Sequence, residues 1–135
     1  MHVCSTLWTG LLTDDLEMDA ATRATHHARR RAHYAAILEG GAVFSQPFSE
    51  GGAAAAGTVA FGTTATPVDG GFRINGKKIF ASLAGHADRY GILCTEVAGE
   101  GRPSRRDTLY LAVPKDAPGV TVEGEWDPLG MRGTV

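Results

Sequence analysis

The chain has 135 residues, 43% of them hydrophobic, and a formal net charge of −2, which suits one domain of ordinary size. Near-neutral charge argues against a nucleic-acid partner held through phosphate contacts. No apolar run approaches the ~20 residues that span a bilayer, and the N-terminus does not resemble a signal peptide. Cys4 and Cys94 have no metal-type spacing. We therefore expect a reduced, cytoplasmic protein with neither a metal site nor a membrane span.

Residues 14–39 predict a helix, because alanine recurs at every fourth position from Ala20 to Ala36. A stripe of small side chains is typical of a face that packs closely on another helix. Gly40-Gly41 is expected to end the helix, since glycine accepts the left-handed conformation common just past a helix C-terminus.

Beyond Gly41 the sequence changes to β-branched and aromatic residues interrupted by Gly and Pro. Turns about every eight to twelve residues favour an antiparallel barrel or sandwich. Asp69-Gly70 and Asn75-Gly76 are strong hairpin signals. The candidate strands are residues 42–48, 59–67, 71–75, 77–81, 89–96, 108–113 and 120–123. The prediction is an α+β, mainly β fold, with a helical segment over residues 1–40 and a β domain over residues 41–135.

The predicted hairpin over residues 71–82 ends in an aromatic ring and a hydroxyl. On a strand, Phe80 and Ser82 would face the same side. A flat apolar face beside a hydrogen-bond donor suits a planar ring with a polar edge, such as a flavin. Ser49 ends another β-like stretch before the Gly- and Ala-rich run 51–57, whose backbone could approach a ring or pyrophosphate closely. A flexible surface loop is the alternative for that run.

Gly71 to Lys77 also has the GxxxxGK spacing of a phosphate-binding loop. The next residue is Lys78, where such a loop needs Ser or Thr for magnesium, and a hairpin is the wrong context because that loop runs from strand to helix. The sequence contains no GxGxxG. We expect neither a nucleoside triphosphate site nor a Rossmann dinucleotide site.

The order of three motifs resembles the acyl-CoA dehydrogenase family. The family patterns are A-x-T-E-P-x-x-G-S, then G-G-x-x-x-N-G-x-K-x-[WF]-[IA]-[TS] followed by Ala-Asp, then V-P-x-x-x-P-G-V followed by L-G-M-R-G-[TS]. The corresponding stretches are residues 39–52, residues 70–82 followed by Ala87-Asp88, and residues 109–120 followed by 129–134. The resemblance covers most of residues 39–134.

The resemblance implies a role for each matching position. Phe48 and Ser49 would border the pyrimidine edge of a flavin, in this family FAD, with Gln46 nearby on the same strand. Phe80 would stack on the isoalloxazine, and Ser82 would meet N5 and the adjacent carbonyl through its hydroxyl and amide.

Some positions depart from the family pattern. Gly51 replaces the family proline, and Ala55 stands where a family serine assists phosphate binding. The carboxylate of Glu50 could act as a base, but the family counterpart of this residue is structural. No catalytic residue is therefore expected among the matching positions.

The resemblance implies α,β-dehydrogenation of an acyl-CoA thioester by a full-length, homo-oligomeric enzyme. In the family the catalytic carboxylate follows the β domain, so we expect this sequence to be a fragment of a larger oxidoreductase, inactive alone. Two alternatives stay open: a flavin-dependent monooxygenase of the same fold, and a non-enzymatic β-barrel interaction module.

Overall fold

A computed structural model describes residues 14–51, 59–99 and 101–124 together with Leu7. Within these residues the elements are one α-helix, a short 3₁₀ turn (Arg105–Asp107) and five strands. They are α1 (Ala20–Leu38), β1 (Phe44–Ser45), β2 (Thr64–Val68), β3 (Gly71–Asn75), β4 (Arg89–Glu96) and β5 (Thr108–Pro114). A helix followed by a sheet confirms the mainly β fold predicted from the sequence.

The start of helix α1 is set by Asp19, whose carboxylate accepts the amides of Ala21 and Thr22 at 2.9 Å. This cap satisfies amide groups that have no partner within the helix, so the helix begins at Ala20 rather than at residue 14 as predicted. Its end near Gly40-Gly41 is as predicted, with Gly41 at a φ of 66°. The described residues do not test whether the alanine stripe packs on another helix, so that expectation stays a prediction.

Strand β4 is the centre of the sheet. Strand β5 pairs antiparallel along one edge of β4, from Arg89↔Pro114 to Thr95↔Thr108. The other edge is shared, because β1 pairs with the start of β4 and β2 with its end, both in parallel. Strands β2 and β3 form the hairpin predicted around Asp69-Gly70.

The prediction of purely antiparallel pairing is wrong, since the sheet is mixed, and the described strands do not close into a barrel. Candidate strands 77–81 and 120–123 are also wrong: the first contributes only an isolated bridge at Ile79, and the second is irregular. Gly76 does not reverse the chain at a second hairpin but lies close to Thr63, the residue before β2. A Cβ placed on Gly76 would lie 2.7 Å from the Thr63 Cα, so only glycine fits this close crossing of the two chain segments.

The two faces of the sheet are covered differently. On one face, Tyr90 and Ile92 of β4 form the core, together with Ala87. The residues packed around them are Ile74, Ala84, Leu111, Val113 and Val120. On the other face the ring of His33 in α1 lies 4.6 Å from the ring of Phe44 in β1, which joins the helix to the sheet. No helix in the described ranges has the length and apolar character that a membrane crossing requires.

Candidate functional site

The candidate site lies at a break in the sheet, where β4 has no strand neighbour between β1 and β2. Strand β1 covers Arg89 and Tyr90, and β2 covers Thr95 and Glu96. The intervening edge includes the carbonyl of Leu93, which would be left without a partner in the sheet. A buried carbonyl without a hydrogen bond costs free energy, so another group has to fill the break.

That group is the ammonium of Lys78, which donates to the Leu93 carbonyl. The same ammonium donates to Glu50 Oε1 at 2.6 Å and to the Phe48 carbonyl at 3.5 Å. The side chains of Lys78 and Glu50 are only 9% and 8% exposed. Lysine thus takes the place of a missing strand residue.

Glu50 completes the junction from the other side. Its carboxylate accepts the amide of Gly62 at 2.7 Å and the amide of Thr63 at 2.9 Å, just before β2 begins. Burial by itself would raise the pKa of Glu50, but the bonds from Lys78 and from these two amides outweigh it and lower the pKa. Glu50 is therefore an ionised carboxylate that ties the residues just before β2 to Lys78.

The break brings together the two segments that carry the predicted cofactor residues. Ser49 and Ile79 form an isolated antiparallel bridge, in which the Ile79 amide donates to the Ser49 carbonyl at 2.8 Å. The Ser45 hydroxyl donates to the Ser82 carbonyl at 2.7 Å. Segments 45–50 and 78–82 therefore run side by side, although they are far apart in the sequence.

Phe80 is the most distinctive residue of this pair of segments. The residue is 71% exposed, and its backbone is left-handed with a φ of 57°. For a bulky non-glycine residue this conformation costs ~1–3 kcal/mol and is found where a surrounding structure or a ligand site requires it. The prediction that strand alternation places Phe80 beside Ser82 was wrong in its geometry, because no strand exists here. A tight turn, in which the Ser82 amide donates to the Phe80 carbonyl at 3.1 Å, holds the two residues near each other instead.

Gln46 and Phe48 lie on the opposite face from the core and contact Tyr110 of β5. The Gln46 Nε2 atom lies 3.5 Å from the Tyr110 hydroxyl, and the rings of Phe48 and Tyr110 meet edge to face at 6.1 Å. Gly91 makes this arrangement possible, because a Cβ there would lie 2.9 Å from the Tyr110 Cζ. Gln46 itself is only 3% exposed, so its side chain lies buried next to Tyr110 and does not form open surface.

The described structure thus places the five predicted cofactor residues in one region, around the break in the sheet. Ser49 and Ser82 are half-buried, Phe80 is exposed, and Gln46 is buried. Sequence reasoning missed Lys78 and Tyr110. The fixed position of a lysine in the second motif was the available signal for Lys78, whereas nothing in the sequence distinguishes Tyr110 from an ordinary strand tyrosine. The Gly- and Ala-rich run 51–57 lies outside the described residues beyond Gly51.

The arrangement fits a planar aromatic cofactor. It offers an exposed ring for stacking, hydroxyl groups on both neighbouring segments, and an irregular backbone with amide and carbonyl groups outside regular strand pairing. Cys94, buried in β4, does not add a nucleophile, because burial raises the pKa of its thiol and keeps it protonated. No group of three or more potential metal ligands occurs among the residues that the structure describes.

Comparison with known proteins identifies a family for the chain. Residues 48–135 match the model of the acyl-CoA dehydrogenase middle domain. The chain is 29% identical over 108 residues to the probable acyl-CoA dehydrogenase YngJ of Bacillus subtilis, covering 78% of this chain and 27% of YngJ. It is 38% identical over 66 residues to the amino sugar nitrososynthase DnmZ of Streptomyces peucetius, covering 49% of this chain and 16% of DnmZ.

A solved structure gives the same result for the fold. FMN-bound TdsC of Paenibacillus sp. A11-2, a dibenzothiophene monooxygenase, superposes with a TM-score of 0.65 at 30% identity, covering 79% of this chain and 26% of TdsC. The chain therefore spans between 16% and 27% of the length of these three relatives. The family match covers the candidate site from Phe48 onward, including the break in the sheet and the Phe80 turn. The chain belongs to the acyl-CoA dehydrogenase family, whose middle domain it carries.

Proposed function

We propose that residues 41–135 form one wall of the flavin site of an oxidoreductase that dehydrogenates acyl-CoA thioesters, with residues 1–40 belonging to a helical domain. The observation that carries the proposal is the exposed, left-handed Phe80 beside Ser82, at the junction with the Phe48–Ser49 segment. Backbone strain at an exposed aromatic residue is expected where the aromatic ring contacts a ligand.

In this proposal each residue holds a different part of the cofactor, FAD by family resemblance. Phe80 stacks on the ring system, and Ser82 provides a hydroxyl and an amide for its redox-active nitrogen and the neighbouring carbonyl. Phe48 and Ser49 border the pyrimidine edge, with Gln46 supporting them from behind. Stacking contributes ~0.5–1.5 kcal/mol beyond burial and a neutral hydrogen bond a similar amount, so several contacts have to act together.

A bound flavin would supply the redox chemistry, by taking up hydride from the carbon β to the thioester. The residues of this chain bind and orient the cofactor and exclude water on one side of it. None of the described residues is proposed as the base that removes the α proton, because Glu50 is tied to Lys78 and to two backbone amides. The proposed working form is a soluble homo-oligomer in the cytoplasm that binds an acyl-CoA.

A second candidate is a flavin-dependent monooxygenase. It is favoured by a specific observation, namely that the FMN-bound monooxygenase TdsC superposes over 79% of the chain. Both candidates use the same wall of the flavin site, since neither requires Phe80 or Ser82 to act as acid or base.

Flavin titration tests the shared part of the proposal. FAD and FMN are added separately to the protein, and quenching of flavin fluorescence is followed. Phe80→Ala is expected to weaken binding by about tenfold, as expected when stacking and burial are lost together. Phe72→Ala is the matched control, because Phe72 is also an exposed phenylalanine but lies on the β2–β3 hairpin. Absence of binding by the unaltered protein, or equal effects of the two substitutions, would contradict the proposal.

A flavin-loaded, full-length enzyme that carries this domain then separates the two reactions, because no described residue of this chain is proposed as the base. Anaerobic addition of an acyl-CoA bleaches the flavin absorbance of a dehydrogenase. A monooxygenase leaves it unchanged under those conditions, and consumes oxygen once its flavin has been reduced. Oxygen consumption coupled to oxidation of an added aromatic or amino-sugar substrate would replace the first candidate by the second.

A further inference from the structure

The buried ion pair between Glu50 and Lys78 connects the two segments of the proposed flavin site directly. Glu50 directly follows Ser49, and Lys78 precedes Phe80 by two residues. Beside the ion pair, the Ile79 amide donates to the Ser49 carbonyl at 2.8 Å. Both charges therefore lie within one or two residues of groups that are proposed to contact the ring.

Each hydrogen-bond donor of the Lys78 ammonium in this pair has an acceptor. An ammonium group has three donors, and Lys78 has three acceptors: the Glu50 carboxylate, the Leu93 carbonyl and the Phe48 carbonyl. Glu50 in turn accepts the amides of Gly62 and Thr63. A fully satisfied buried network is rigid, and it fixes the separation of the chain segments that it joins.

The pair also places two opposite charges next to each other in a buried position. Each side chain is less than 10% exposed, so water screens the two charges poorly, and together they are neutral. Removal of one partner leaves the other as an uncompensated buried charge of known sign. The two possible removals therefore disturb the same junction but create opposite local charges.

We propose that Glu50 and Lys78 are a positioning pair of the flavin site, which holds segments 45–50 and 78–82 in register and keeps the surroundings of the bound ring electrically neutral. The inference rests on the proposed function, since it assigns these residues to that same site. Neither residue is catalytic, because their contacts are with each other and with the backbone.

The test compares the affinities for oxidised and reduced FMN, measured by anaerobic titration at a pH at which reduced flavin is an anion. Glu50→Gln leaves Lys78 positive and is expected to favour the reduced anion by about three- to tenfold relative to oxidised FMN. Lys78→Gln leaves Glu50 negative and is expected to change the ratio by a similar factor in the opposite direction. Loss of packing alone would not shift the ratio of the two affinities in opposite directions in the two variants.

Two further variants serve as controls. Lys77→Gln removes the same charge from the neighbouring position, where the ion pair with Glu123 is exposed, and is expected to leave the ratio within about twofold. Lys78→Arg retains the charge and is expected to restore the ratio of the unaltered protein even if its absolute affinity is lower. This variant keeps the test valid if Lys78→Gln folds poorly, because Glu50→Gln and Lys78→Arg then carry the comparison.

Opposite shifts for the two charge removals, with the original ratio in Lys78→Arg, support the positioning pair. Shifts of the same sign, or no shift in a protein that still binds FMN, overturn it and leave the proposed function standing. Failure of the unaltered protein to bind FAD as well as FMN, in either oxidation state, overturns both.

Discussion

Replacement of Gly91 by alanine tests how tightly Tyr110 is held behind the site. The added Cβ would lie 2.9 Å from the Tyr110 Cζ and 3.0 Å from its Cε2, closer than carbon atoms approach in ordinary packing. The tyrosine ring has to move, and it is held by Phe48 at 6.1 Å and by Gln46 at 3.5 Å. We therefore expect the collision to extend to the residues behind the pyrimidine edge.

The expected loss of stability follows from two opposing terms. Overpacking of a well-packed position costs ~1–3 kcal/mol, whereas replacing glycine by alanine within a strand gains ~0.5–1 kcal/mol. The net decrease in the free energy of unfolding is expected to be about 1–2 kcal/mol. Urea denaturation followed by circular dichroism measures it, and Gly71→Ala in β3 is the control, because a Cβ at Gly71 meets no atom within 4 Å.

A double-mutant cycle assigns the cost to the collision. In a Tyr110→Ala background, Gly91→Ala is expected to become neutral or stabilising, which corresponds to a coupling energy of about 1–3 kcal/mol. Equal effects of Gly91→Ala in the two backgrounds would refute the reasoning, as would a stability equal to that of the Gly71→Ala control.

Three further predictions concern the same junction. Phe80→Gly is expected to raise the free energy of unfolding by about 1 kcal/mol, by releasing left-handed strain, while flavin binding weakens; a loss of stability in urea titration would show that the ring is a packing residue. The pKa of Glu50 is lowered in the folded protein, so its contribution to stability is fully present above its ordinary pKa of 4.5 and is lost as the pH falls through the lower folded pKa. Glu50→Gln should therefore make the free energy of unfolding decline less steeply with falling pH. An unchanged pH dependence of the free energy of unfolding would contradict this. Gly76→Ala is expected to cost about 2 kcal/mol or more in thermal or urea unfolding, because its Cβ would meet the Thr63 backbone; parity with Gly71→Ala would exclude the tight crossing.

Turn residues and short runs of β-branched and aromatic residues correctly predicted two strands and one hairpin turn. Strands Gly71–Asn75 and Arg89–Glu96 have the predicted bounds, and the Asp69-Gly70 turn joins β2 to β3 as expected. The parallel pairing of β1 and β2 with β4 could not be read from the sequence, because it depends on segments that are distant in the chain. A glycine turn signal at Asn75-Gly76 also failed, since the glycine is required there by a close crossing and not by chain reversal.

The sequence predicted which residues of the candidate site lie together but not their local geometry. Motif order placed Ser49, Phe80 and Ser82 in one site, and the structure brings their segments together at the Ser49–Ile79 bridge. The local geometry differs from the strand alternation that suggested it, because Phe80 adopts a left-handed conformation. Lys78 was missed because lysine is a surface residue by default, and only the gap in the edge of β4 shows why it is buried.

A flavin ring is proposed to contact the Phe80 turn and the segment beside it. Two-dimensional amide NMR of the labelled protein during titration with FMN tests this contact directly. The largest shift changes are expected at Ser49, Phe80 and Ser82, whereas the amide signals of helix α1 and of the β2–β3 hairpin should stay nearly unchanged. Changes centred on the helix or the hairpin, or no saturable change at all, would contradict it.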